Sequence, residues 1–254
     1  MKEFFINADG VKIHAKLQMP DGVARRCPLA IVQHGLTGHM EEDHIVGVAA
    51  ALQEAGVATL RVEMYGHGQT SGDFSRHTLL KWIDNMLAVI DYVKESKEFD
   101  FVSELYLCGH SQGGLLSMLV AALRPNDLAA IIPMSPAVVI LDGAREGNLL
   151  GATFEPHNVP DRLSLGGDKA HLYLCADYLR IAQHLHIEEA IVGYPGPVLL
   201  VHGTADAAVP VRYSIEAAKA YKNARLVLID NDDHCYRKHL DQACAAVRDF
   251  VREL

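Results

Sequence analysis

Short apolar runs alternate with segments of helical period along most of this chain. Two alternating stretches, Glu3–Ile6 and Val11–Gln18, are separated by A-D-G and predict a hairpin at a sheet edge. From there the order is strand, helix, strand, helix: Leu29–Gln33, Asp43–Ala55, Val57–Val62, Thr78–Ser96, Ser103–Cys108, Gln112–Leu123 and Ala129–Pro133. Further on, Val198–His202 and A-R-L-V-L-I (224–229) read as buried strands, and Lys238–Arg252 as a closing amphipathic helix. Such alternation predicts an α/β fold built on a mostly parallel, doubly wound sheet.

Between Pro136 and about Tyr194 the rhythm breaks. V-V-I-L-D-G-A-R-E-G-N-L-L-G-A-T-F-E-P-H-N-V-P-D-R-L-S-L-G-G is rich in turn formers, and H-L-Y-L-C-A-D-Y-L-R-I-A-Q-H-L then reads as a helix. The predicted organisation is a core of residues 1–137 and 195–254, with 138–194 inserted as a cap over the carboxyl edge of the sheet, where specificity loops sit.

Composition narrows the picture. Half of the 254 residues are apolar, enough for one sheet buried on both faces. A formal charge of −9 without any Lys/Arg-rich stretch argues against nucleic acid and anionic membranes as partners. The start, M-K-E-F-F-I-N-A-D-G, has no sustained apolar stretch and no later segment approaches a membrane span, so a cytoplasmic chain without a signal peptide is expected. Five scattered cysteines suggest reduced, buried thiols rather than a disulfide framework. His202, His234 and His239 match no metal-ligand spacing, and neither metal nor cofactor is expected.

Chemistry enters at L-C-G-H-S-Q-G-G (107–114), which sets Ser111 between two glycines where an apolar strand gives way to a helix. A G-x-S-x-G at such a junction holds its serine on a tight, strained turn with the oxygen exposed, and makes Ser111 a candidate nucleophile. A serine hydroxyl needs a base, and the base an orienting carboxylate. P-V-L-L-V-H-G-T-A-D-A-A-V-P (197–210) offers Asp206 and L-I-D-N-D-D-H-C-Y (228–236) offers His234, each just past a strand. Asp232 and Asp233 are rivals to Asp206, with the simpler role of orienting the His234 loop. For charge developing on a carbonyl oxygen, two backbone amides are the candidates: Gln112, at the positive end of its helix, and Leu36, in H-G-L-T-G after an early strand. The glycine-rich loop R-V-E-M-Y-G-H-G-Q-T-S-G (61–72) suits a backbone packed beneath the site and is assigned no chemistry.

With these residues in place the chain resembles the α/β-hydrolase superfamily throughout, and more narrowly the bacterial feruloyl (cinnamoyl) esterases. H-G-L-T-G-H, G-H-S-Q-G-G, M-S-P-A with D-G-A-R-E-G-N-L-L-G, Y-L-R-I-A-Q, V-H-G-T-A-D-A-A-V-P and D-H-C-Y carry the resemblance. It implies a triad of Ser111, Asp206 and His234, oxyanion donors at Leu36 and Gln112, and cap side chains that hydrogen-bond the phenol, for which Asp142 and Tyr178 are the candidates.

The reading is a serine carboxylesterase acting without a cofactor on a small-molecule ester of a hydroxycinnamic acid. A general acyl esterase, lipase-like or thioesterase, is the alternative, since the triad is indifferent to the acyl group; a non-catalytic ligand-binding protein of the same fold is a more distant one. Homodimerisation is left open.

Overall fold

The computed structural model describes residues 1–22 and 26–254. Along the chain come β1 (Lys2–Ala8), β2 (Val11–Gln18), β3 (Cys27–Gln33), α1 (Asp43–Glu54), β4 (Ala58–Val62), α2 (Leu79–Glu95), β5 (Val102–His110), α3 (Gln112–Leu123) and β6 (Ala130–Met134). Then follow α4 (Val139–Glu146), β7 (Asn148–Leu149), β8 (Ala152–Thr153), β9 (Arg162–Ser164), β10 (Tyr173–Cys175), α5 (Ala176–His184) and α6 (Ile187–Gly193). The chain closes with β11 (Val198–Gly203), α7 (Arg212–Ala220), β12 (Ala224–Ile229) and α8 (Leu240–Arg252).

Eight strands form one sheet in the order β1-β2-β4-β3-β5-β6-β11-β12. Only β2 runs against its neighbours; every pairing from β4 to β12 is parallel. Period-two alternation sends side chains to two cores. Leu29, Ile31, Val198 and Leu200 join the cluster under α2 and α3, whereas Ala30, Val32, Leu199 and Val201 join the one under α1 and α8. A sheet covered on both faces is what apolar parallel strands require, because an uncovered face would leave those side chains in water. The β1–β2 hairpin stands at the predicted edge. Among the described residues no helix is long and apolar enough to cross a membrane.

Local signals explain the boundaries. Thr78 accepts from Lys81 N–H at 3.1 Å and so starts α2 as its N-cap, and the left-handed Gly147 (φ 73°) ends α4. The irregular stretch expected after Pro136 contains that helix, and part of the helix expected at 171–185 is a strand instead. Tyr173–Cys175 pairs with Arg162–Ser164, which draws those residues into extended backbone before α5 begins.

Candidate active site

Three loops leave the carboxyl ends of β5, β11 and β12 and converge. At the first of them the chain turns from β5 into α3 within a single residue, and Ser111 takes φ 56° and ψ −119°, a region side chains rarely adopt. The turn closes because neighbours are glycines: a Cβ on Gly109 would sit 2.2 Å from the Gly113 carbonyl oxygen, and one on Gly113 2.4 Å from that of His34. The loop after β3 is equally close, since a Cβ on Gly35 would meet Ser111 Cβ at 2.8 Å.

The side chains these turns present form one hydrogen-bonded line. His234 Nδ1 lies 2.6 Å from Asp206 Oδ2, and His234 Nε2 lies 2.9 Å from Ser111 Oγ. A carboxylate only accepts, so Nδ1 carries the proton and Nε2 is free to accept from the serine hydroxyl. Asp206 is shielded from solvent, which alone pushes its pKa up; donors from His202, His234 and Val209 outweigh this and hold it well below the usual carboxylate range. Asp232 and Asp233 serve the same loop differently. Asp232 accepts the amides of Asp233, Lys238 and His239, and Asp233 those of Cys235 and Arg237.

Leu36 and Gln112 flank Ser111 from the β3 loop and the first turn of α3. Gln112 opens its helix, where an amide has no intrahelical acceptor. The β3 loop is pinned by two buried histidines that sequence reading passed over. His34 Nε2 accepts from Met64 N–H at 3.2 Å, and His67 Nε2 accepts from Thr37 N–H at 3.2 Å. Each must therefore carry its proton on Nδ1, which faces a carbonyl oxygen (Gly35 and Tyr65). Burial pushes His34 down to about 3 and His67 to about 4, so both stay neutral and keep those acceptors. The loop at 61–72 is thus hydrogen-bonded on both sides of Leu36 to the loop that carries it. The one sequence signal was a histidine beside glycine after each of two neighbouring strands.

A cavity of about 550 Å³ opens on Ser111 and His234. Leu36, Val139, Leu149, Leu150, Leu165 and Val209 give it an apolar lining, with Lys169 the one formally charged side chain among the described residues that line it. Neither Asp142 nor Tyr178 is on its wall. Tyr178 is wholly buried and its hydroxyl donates to Gln112 Oε1 at 2.6 Å, while Asp142 accepts from Tyr213 at 2.9 Å and Arg145 at 3.1 Å. Both were expected to bind substrate; here Tyr178 bonds within the fold, while the Asp142 carboxylate, though bonded to Tyr213 and Arg145, keeps 41% of its side chain exposed.

A hydroxyl facing an imidazole that a carboxylate orients is the equipment of a serine hydrolase. Comparison with known proteins agrees. The family described as serine aminopeptidase, S33 matches residues 26–172, and the one described as TAP-like protein matches 167–254. Est1E from Butyrivibrio proteoclasticus, solved with ferulic acid bound, is 48% identical and superposes with a TM-score of 0.94 over 98% of each chain. Mouse mitochondrial palmitoyl-protein thioesterase ABHD10 is 23% identical over 85% of this chain and 72% of its own. Mouse monoglyceride lipase is 28% identical over 53% of this chain and 42% of its own. The chain belongs to the α/β-hydrolase esterases. It is a carboxylic ester hydrolase.

Proposed function

We propose that this chain hydrolyses small esters of hydroxycinnamic acids through an acyl-enzyme on Ser111. Ser111 Oγ attacks the ester carbonyl as His234 Nε2 takes its proton, Asp206 holds the imidazole in the productive tautomer, and the Leu36 and Gln112 amides receive the oxyanion. Collapse of the tetrahedral adduct breaks the bond to the alkoxy oxygen, which leaves as alcohol with the proton from His234. Water then attacks the acyl-enzyme by the same route and restores Ser111. Residues 138–194 act as the cap, since Val139, Asn148, Leu149, Leu150, Leu165 and Lys169 supply much of the cavity wall.

The observation that carries the acyl group is the likeness, at 48% identity over almost the whole chain, to an esterase that holds ferulic acid. One feature favours a second reading, an aliphatic acyl ester or thioester: the lining at Leu149, Leu150 and Leu165 is apolar and the two cap residues suited to a phenol are engaged elsewhere. Relative kcat/KM for methyl ferulate, p-nitrophenyl butyrate and a palmitoyl thioester separates them. The first reading expects methyl ferulate to lead; a lead for the thioester overturns it.

A further inference from the structure

Three metal-ligating side chains meet behind the His234 loop from distant parts of the chain: His44 on α1, His110 at the end of β5, and Cys235 next to His234 itself. His44 Nε2 stands 3.0 Å from His110 Nδ1, and with Cys235 Sγ these atoms all lie within 4.8 Å of one another. Both imidazoles are buried, and the thiol is half-buried. His110 Nε2 is 2.7 Å from the His234 carbonyl oxygen and must donate to it, so His110 Nδ1 carries the lone pair. A surface depression of about 510 Å³ reaches the cluster between His44, Cys235 and the acidic run Glu41, Glu42 and Asp43. Glu42 Oε2 lies 3.9 Å from His44 Nε2, and Arg237 on the wall of that depression is paired with Asp233 at 3.2 Å.

We propose that His44, His110 and Cys235 form a binding site for a borderline divalent cation of the zinc class, and that occupancy tethers the His234 loop. Two imidazole nitrogens and a thiolate suit Zn²⁺, Co²⁺ or Cd²⁺, whereas Mg²⁺ and Ca²⁺ seek oxygen. Binding is balanced: Cys235 gives its thiol proton to solvent, the His44 proton moves from Nε2 to Nδ1, and the freed lone pairs take the metal. Glu42 or water completes four-coordination. Metal–nitrogen bonds of about 2.0–2.1 Å and a metal–sulfur bond of about 2.3 Å put tetrahedral ligand atoms roughly 3.3–3.6 Å apart, inside the spread found here. Drawing Cys235 in to that distance moves its neighbour His234 against Ser111, and about 1 Å of misplacement at such a site costs on the order of 100-fold in rate.

Cobalt titration of the chelator-treated full chain tests the site. One equivalent is expected to give tetrahedral d–d bands with a thiolate-to-cobalt charge-transfer band, and to raise the thermal midpoint. Zn²⁺ is expected to slow p-nitrophenyl butyrate hydrolysis reversibly, with chelator restoring it. Cys235→Ala should abolish the charge-transfer band and His44→Gln should weaken binding by at least ~100-fold, beyond the cost of losing an outer-shell partner. Circular dichroism of each variant, with Cys235→Ser as the conservative form, separates lost ligation from lost fold. No stoichiometric band in the wild type overturns the proposal. So does zinc inhibition that is unchanged in both folded variants, because the metal would then act on Ser111 and His234 directly.

Discussion

His202 and His234 share one carboxylate oxygen: His202 Nε2 lies 3.2 Å and His234 Nδ1 2.6 Å from Asp206 Oδ2. The other oxygen, Oδ1, accepts the Ala208 and Val209 amides at 2.8 Å each. His202 is fully buried and its Nδ1 stands 2.7 Å from Ser214 Oγ, so the hydroxyl donates to the ring, and the Nε2 proton is shared between the Val209 carbonyl oxygen at 3.0 Å and Asp206 Oδ2 at 3.2 Å. His202→Leu should therefore cost about 1–3 kcal/mol of stability by stranding buried polar partners. It should also lower kcat, by up to ~100-fold if Asp206 shifts by about 1 Å, with KM little changed. Steady-state kinetics decide it; a rise in KM at constant kcat would show that His202 does not position Asp206.

Removing the nucleophile isolates chemistry from packing. Ser111→Ala should fold normally, with a kcat loss of ~10⁴–10⁶-fold, since the side chain stands on a strained turn and contributes no core contact. More than about a tenth of wild-type activity in that variant would refute the assignment. Asp206→Asn should lose kcat by a similar route, on the order of 10⁴-fold, because an amide favours the wrong imidazole tautomer.

The parts of this fold legible in the sequence are those fixed by local chemistry. Apolar runs between turn formers located β3, β5 and β11, and the strained glycine-flanked serine located the site, because those demands act within a few residues. The cap was harder. Gly143 reads as a turn former, yet it lies inside α4, where the residue is glycine because a Cβ would meet the Asn148 carbonyl oxygen at 2.5 Å. Tyr178 resembles a surface reader of substrate, yet α5 turns it inward onto Gln112 and His77. Likewise the His34–Met64 and His67–Thr37 bonds join residues 30 apart, and only the pairing of β3 with β4 brings them together.

Acid should destabilise the protein before its carboxylates titrate. Burial pushes His34 and His77 down to about 3 and His44 and His67 to about 4, against about 6.5 for an exposed imidazole. With folded values depressed, the unfolded chain takes protons first. The stability these groups contribute is complete above about pH 6.5 and is lost as pH falls toward 4. At pH 5 each would cost roughly 1–2 kcal/mol. Calorimetry in buffers of different ionisation enthalpy should detect net proton uptake on unfolding at pH 5.5; none there would mean these imidazoles are not held neutral.

Replacing Tyr178 by Phe distinguishes a substrate reader from a strut. The hydroxyl donates to Gln112 Oε1, the ring lies 5.0 Å from that of His77, and the Gln112 side-chain nitrogen has no partner among the described residues. Tyr178→Phe leaves the buried amide with neither bond, a loss of about 1–3 kcal/mol of stability. Gln112 also supplies a proposed oxyanion amide, so the loosened side chain should lower kcat for every ester alike. Methyl ferulate and methyl cinnamate differ only in ring substituents that include the phenol hydroxyl, and a strut predicts the same fractional loss of kcat/KM for both. A defect confined to methyl ferulate would instead mean that the hydroxyl leaves Gln112 for the substrate, and would return Tyr178 to the role of phenol reader.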